Sequence, residues 1–240
     1  MTRQRADRVL VERGIFESRA KAQAAIAAGL VFANGIAVRK ASDEIDTNAK
    51  IDAQAAHHYV SRGGVKLAAA LDAFRFDLNG RVCLDAGAST GGFTQVLIER
   101  GAARVYAVDV GRGQLHARLH GLPEIISLEE TDIRTLAPLD PAPDLIVVDV
   151  SFISLRQVLP SALSLAKTPA QLVALIKPQF EAGREKVKKG VVRDSAVHQA
   201  VCDDIAAYVA SLGWRVLSVI RSPIAGGDGN IEFLLGAVRD

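Results

Sequence analysis

The sequence predicts an open α/β domain on a mostly parallel seven-stranded sheet, preceded by a small α+β unit of two helices and a hairpin. Three observations predict it. From residue 81 onward, short apolar runs alternate with helical stretches, the pattern of right-handed crossovers over a parallel sheet. A glycine-rich stretch, "LDAGASTGGF" at 84–93, joins the first of these runs to a helix. Before residue 60, two helical patterns lead into Asn-Gly flanked by β-prone runs, a strong hairpin signal.

Taken in order, "RADRVLVERGI" presents Val9, Leu10 and Arg13 at helical spacing and stops at Gly14. "SRAKAQAAIAAG" opens on a capping serine, Ser18, and ends at Gly29. "LVFANGIAV" is the hairpin, and the polar, weakly periodic "DTNAKIDAQAAHHYVS" reads as a joint, dividing the chain into 1–59 and 60–240. "VSRGGVKLAAALDAF" is then a helix with Leu67, Leu71 and Phe74 on one face and Lys66 at its beginning. Strands follow at "RVCLDA", "RVYAVDV", "EIISL", "DLIVVDV", "QLVALIK", "RVLSVI" and "IEFLLGAV", with helices at roughly 91–100, 112–120, 154–166 and 195–212. No helix separates the last two strands, so the final one should run antiparallel.

The chain has 240 residues, 49% of them hydrophobic, enough for a packed core. It contains neither an apolar stretch of about 18 residues nor a basic-then-apolar leader, so a cytoplasmic protein without membrane span or signal peptide is expected. Cys83 and Cys202 lie far apart in apolar contexts and read as reduced core thiols. His57, His58, His116 and His120 lack nearby cysteine or carboxylate ligands, so no metal is expected. Charge is unevenly spread: residues 1–40 hold eight bases against three acids, a net of +5 in a chain of net +2. A basic end on a near-neutral body points to a polyanionic partner.

The chemistry centres on strand ends. Pro178 forbids helical continuation at Lys177, so this lysine stands at the carboxyl end of "QLVALIK", the edge where open α/β sheets bind ligands. A lysine reaching solvent off a strand end is the alternative. Asp149 ends a neighbouring strand, Glu232 opens the antiparallel last strand at the same edge, and Lys66 begins a helix able to fold over it. A structural ion-pair network is one reading of this set. The other is catalytic: a lysine crowded by a second lysine and partly desolvated accepts a hydroxyl proton, while carboxylates orient it.

In the glycine loop, Gly87, Gly91 and Gly92 permit tight turning and close backbone approach. Ser89 replaces the middle glycine of a dinucleotide fingerprint, and Asp85 precedes the loop, which suits a positively charged ligand such as the amino-acid portion of S-adenosylmethionine. Thr90 and Phe93 complete the loop set. Asp109, ending the second strand, is placed to accept ribose hydroxyls, and Asp132, after the third, an adenine amino group.

Two resemblances sharpen this reading. Residues 3–51 resemble the small RNA-binding module shared by a small-subunit ribosomal protein, pseudouridine synthases and tyrosyl-tRNA synthetases, which implies structured RNA as the partner and Arg3, Arg5, Arg8, Arg19, Lys21, Arg39 and Lys40 as its contacts. "SRGGVKL", "LDAGASTGGFT", "DVGRGQL", "DVSFISL", "LIKPQFE" and "GNIEFLL" resemble the TlyA proteins, also called hemolysin A. That resemblance implies a Rossmann-like class I methyltransferase that methylates cytidine 2′-hydroxyls of ribosomal RNA with S-adenosylmethionine, with Lys66, Asp149, Lys177 and Glu232 at the Lys-Asp-Lys-Glu catalytic positions. The chain stops eight residues after Glu232, which leans the expected substrate to large-subunit RNA. A monomer or weak dimer is expected. The rival readings are a hemolysin and an RNA-binding adaptor without methyl transfer.

Overall fold

The computed structural model describes residues 2–226 and 229–240. The chain divides into two units, Met1–Arg62 and Gly63–Asp240.

In the first unit, β1 (Arg3–Arg5) leads directly into α1 (Ala6–Glu12), followed by α2 (Arg19–Ala27), β2 (Val31–Ala33), β3 (Ile36–Ala37), β4 (Glu44–Asp46) and β5 (Ile51–Ala53). Ser18 caps α2 by accepting from the Lys21 N–H. β2 and β3 form the expected hairpin, and Asn34 and Gly35 turn it with positive φ at both positions. Leu10, Phe16, Ile26, Val31 and Ile45 share a small core, in which truncating fully buried Leu10 to alanine would cost roughly 2–5 kcal/mol.

Three strands lie where none was expected. β1 pairs with β4, and β5 pairs with β2 inside the stretch that reads as a polar joint. Each strand is three residues long, too short to show a period, and each is a strand because of the partner that fills its ladder.

In the second unit, α3 (Gly63–Phe74) precedes β6 (Val82–Ala86), α4 (Gly92–Glu99), β7 (Arg104–Val108), β8 (Ile125–Leu128), β9 (Leu145–Val148), α5 (Leu155–Ser164), β10 (Ala170–Ile176), α6 (Pro178–Glu181), α7 (Ser195–Ser211), β11 (Arg215–Arg221) and β12 (Phe233–Arg239). The seven strands run in the order β11-β12-β10-β9-β6-β7-β8. β12 is antiparallel to both its neighbours and the other pairings are parallel, as the missing last crossover requires. β9 and β10 are central and almost wholly buried, which explains their unbroken apolar runs.

One expected helix is absent. Residues 112–120 form a loop with a single 3₁₀ turn at Ala117–Leu119. Gly113 has φ +61°, and the Glu129 carboxylate accepts from the backbone N–H groups of Gly113, Gln114 and Leu115. These bonds fix the loop against β8 and hold the Glu129 carboxyl below its ordinary pKa.

Candidate active site at the carboxyl edge of the sheet

Register brings three candidate residues to one edge. Ile176 pairs with Phe233 at the end of the β10–β12 ladder, so Lys177 and Glu232 each lie one step beyond a paired position. Val148, the last residue of β9, pairs across to Ala174 of β10, and Asp149 follows it. Lys66 arrives from the first turns of α3, whose seat on β12 depends on a missing side chain: a Cβ on Gly236 would come within 2.6 Å of the Phe74 ring. Glycine in mid-strand thus lets α3 approach closely enough for Lys66 to reach the edge.

The four residues resolve into two ion pairs. Lys66 Nζ lies 2.5 Å from Glu232 Oε2, with both residues buried, at 8% and 3% exposure. Lys177 Nζ lies 2.5 Å from Asp149 Oδ1 and donates a 2.8 Å hydrogen bond to Ser151 Oγ. The Asp149 contact is ionic, because that oxygen has no aligned hydrogen bond. Each lysine is therefore matched to its own carboxylate, where the sequence expectation crowded lysine against lysine. Strand register is the reason: it interleaves acids and bases along the edge, and burial makes opposite-charge pairing the stable arrangement.

The glycine loop runs beside the second pair. Gly87 has φ +89°, and a Cβ there would sit 2.5 Å from the Asp149 carbonyl oxygen, so only glycine lets the loop cross at this point. Gly91, at φ +87°, caps α4. Asp109 holds the loop's shape, accepting from the Ser89 N–H at 2.8 Å and the Gly111 N–H at 2.7 Å. A cleft of about 510 Å³ opens here, lined by residues that include Gly87, Ser89, Asp109, Asp132, Asp149 and Ser151. Its volume is in the range of small-molecule sites.

The remaining candidates are placed differently. Asp85 is fully buried; its Oδ2 accepts from Thr94 Oγ1 at 2.7 Å, its Oδ1 has no partner, and burial pushes its pKa up to about 7. Gly92 and Phe93 are buried in α4, and exposed Thr90 accepts the His116 N–H through its carbonyl. Asp132 lines the cleft, but its carboxylate caps a 3₁₀ turn and binds Arg134, with Nη2 at 2.6 Å.

In the first unit, Asp7 is buried and binds Arg5, Arg19 and Gln23, an arrangement that holds its carboxyl far below the usual range. Two expected RNA contacts, Arg5 and Arg19, are thus committed to a buried acid that a net charge registers only as a subtraction. Lys21 pairs with Glu17 and Arg8 with Glu12, both four residues apart on the surface. Arg3 donates to the Glu44 carbonyl. The exposed Arg39 and Lys40 donate their backbone N–H groups to Asp43 while their side chains face solvent.

A model of the FtsJ-like methyltransferase matches residues 59–239. The chain belongs to the FtsJ-like methyltransferase family. An S4 domain matches residues 4–51. The chain is similar to the 16S/23S rRNA (cytidine-2′-O)-methyltransferase TlyA of Mycobacterium tuberculosis, at 44% identity over 238 residues, covering 97% of this chain and 89% of that protein. It is also similar to the protein named hemolysin A in Brachyspira hyodysenteriae, at 39% identity, covering 96% and 98%. A solved structure from Streptococcus thermophilus superposes with a TM-score of 0.78 at 40% identity, covering 100% of this chain and 89% of that one. Among the described residues no helix is long and apolar enough to cross a membrane.

For an FtsJ-like methyltransferase, several supporting side chains lie outside the set expected from sequence. Ser151 holds Lys177, and Thr94 holds Asp85. Glu181, four residues after Lys177, accepts from Ser154 Oγ at 2.6 Å and the Leu155 N–H at 2.8 Å, fixing the start of α5; burial raises its pKa. The signal for Ser151 and Glu181 is present in "DVSFISL" and "LIKPQFE", the same two stretches that carry Asp149 and Lys177.

Proposed function

We propose that this chain transfers a methyl group from S-adenosylmethionine to the 2′-hydroxyl of a cytidine in ribosomal RNA, with large-subunit RNA as the substrate. The observation that carries the reading is the juxtaposition of the Lys177–Asp149 pair with the Gly87 loop at one sheet edge. The similarity to the TlyA rRNA methyltransferase over nearly the whole chain supports the substrate class, and the S4 domain supports RNA as the partner. A ribosomal substrate supports a cytoplasmic site of action.

The residues fit the cofactor. The unpartnered Asp85 Oδ1 suits the ammonium of its amino-acid end, Gly87 leaves room for close backbone approach, and half-buried Asp109 faces the cleft as a ribose acceptor. When bound, the cofactor supplies a methyl group activated on a sulfonium and leaves as the thioether. Lys177, once its ammonium has given up a proton to solvent, would take the proton from a 2′-hydroxyl presented at this edge. Asp149 and Ser151 hold the Lys177 amine in place, and the Lys66–Glu232 pair stands at the same sheet edge. The transfer depends mainly on aligning oxygen, methyl carbon and sulfur, which rigid strand ends do well.

Mapping 2′-O-methyl positions in both ribosomal RNAs, from cells with and without the chain, tests the reading. A cytidine in large-subunit RNA should lose its mark when the chain is absent. Unchanged maps of both RNAs would refute methyl transfer.

A further inference from the structure

Between α6 and α7, residues 182–194 form an arm that the catalytic reading leaves unused. It carries Arg184, Lys186, Lys188, Lys189 and Arg193, all exposed, against Glu185 and Asp194, and Asp194 is occupied in capping α7. Among the described residues none of the five bases is paired with a carboxylate. A charged run on a protein surface is ordinarily a solvated face. Two features set this one apart.

The first is its order. Lys188 and Val191 exchange backbone hydrogen bonds, and Lys189 and Gly190 turn between them with φ of +51° and +77°, so the two lysines sit at the tip of a hairpin. The second is its anchor. Asn230, 3% exposed, donates from Nδ2 to the Gly190 carbonyl at 2.9 Å and accepts the Val192 N–H on Oδ1 at 3.2 Å. An amide can donate and accept in this way at once, whereas a carboxylate cannot. Buried His198 adds a ring-nitrogen contact to the Val192 carbonyl at 3.0 Å, and its ring packs 5.7 Å from that of Phe233. The tip is thus pinned to the segment that carries Glu232, two residues after Asn230, while the other end of the arm leaves α6 just beyond Lys177.

We propose that this hairpin grips the RNA phosphate backbone next to the target nucleotide, as a phosphate contact within the methyltransferase unit itself. The inference rests on the methyltransferase reading above. A rigid tip carrying adjacent unpaired lysines, with further bases along both legs, suits closely spaced phosphates, and its anchor fixes those charges relative to the edge where the ribose must be presented. Because the arm is already ordered in the free protein, less conformational freedom is lost when RNA binds.

The test uses the full chain and a ribosomal RNA fragment containing the mapped methylation site. Binding is measured over a salt series for the parent and for Lys188→Glu with Lys189→Glu. The slope of log affinity against log salt should become shallower by about 0.7–0.9 for each phosphate that the variant no longer neutralises, with affinity at low salt falling tenfold or more. S-adenosylmethionine affinity and melting temperature should stay at parental values. An unchanged slope and affinity would overturn the proposal, and so would a variant of reduced thermal stability, because the lysines would then be structural. A parent chain that never methylates RNA fails at the earlier step, independently of the hairpin.

Discussion

Lys66 and Glu232 meet at 2.5 Å across 166 residues of sequence, and one glycine makes the meeting possible. Gly236 accepts the Phe74 ring, Phe74 seats α3 on β12, and the helix delivers Lys66 to the carboxylate that opens the same strand. The pair is a product of helix-on-sheet packing. A second close approach guards it, since a Cβ on Gly226 would collide with Glu232 Oε1.

Gly236→Ala should therefore act on catalysis from a distance. The added methyl meets the Phe74 ring at 2.6 Å, which should cost about 1–3 kcal/mol of stability and tilt α3 away from the edge. Methyl transfer should fall more than cofactor affinity, because the glycine loop follows β6. Adding Phe74→Leu should restore part of both stability and rate. Equal reductions in the single and double variants would show that the helix seat does not control Lys66.

Lys177→Ala should lower methyl transfer by roughly a hundredfold or more while leaving cofactor and RNA affinity near parental values. Lys177→Arg should fail similarly, since a guanidinium keeps its proton. An arginine variant with parental rates would leave Lys177 an electrostatic support.

Asp85 gives the ligand-free protein a pH signature. Its folded carboxyl keeps a proton up to about pH 7, whereas the ordinary value is 3.8, so between those values the folded state binds more protons than the unfolded. Its contribution to stability is full below the lower value and is lost as pH rises through the upper one. Denaturant melts of the ligand-free chain from about pH 4 to pH 8 should show this decline, and Asp85→Asn should flatten it. A cationic ammonium favours the carboxylate, so cofactor binding near pH 7 should release a proton. Titration calorimetry in buffers of different ionisation enthalpy reads that release directly, and its absence would remove Asp85 from the ammonium site.

Charge reversals in the amino-terminal unit should separate into two kinds. Arg39→Glu with Lys40→Glu should weaken RNA binding and flatten its salt dependence without lowering the melting temperature, because both side chains face solvent. Arg19→Glu should destabilise the unit, because it places a second acid against buried Asp7. The Asp7 carboxyl is depressed, so the stability it contributes is present above the ordinary carboxylate range and is lost as pH falls through its lowered value. An acid melt that shifts in Asp7→Asn checks this. Weakened RNA binding in the Arg19 variant at unchanged stability would return Arg19 to the RNA surface.

Much of this molecule is legible as a string because it is written in local patterns. Unbroken apolar runs mark the buried parallel strands, Asn34-Gly35 marks the hairpin, and Lys177-Pro178 marks a strand end, each through backbone geometry that neighbouring residues impose. The lack of a helix between β11 and β12 suffices to turn the last strand around, which brings Glu232 to the edge shared with Asp149 and Lys177.

Partnership is another matter. Nothing near Asp7 in sequence says that it is buried between two arginines, and nothing near Lys66 or Lys177 says which acid each will choose. The three-residue strands β1, β4 and β5 carry too little pattern to be seen, and the helix expected at 112–120 gives way to a loop because Glu129, a distant residue, binds its backbone. Local sequence sets what each segment can become through sterics and periodicity. Pairings between segments depend on register, on packing clearances such as the one at Gly236, and on the cost of leaving a buried charge alone, and these exist only once the chain has folded.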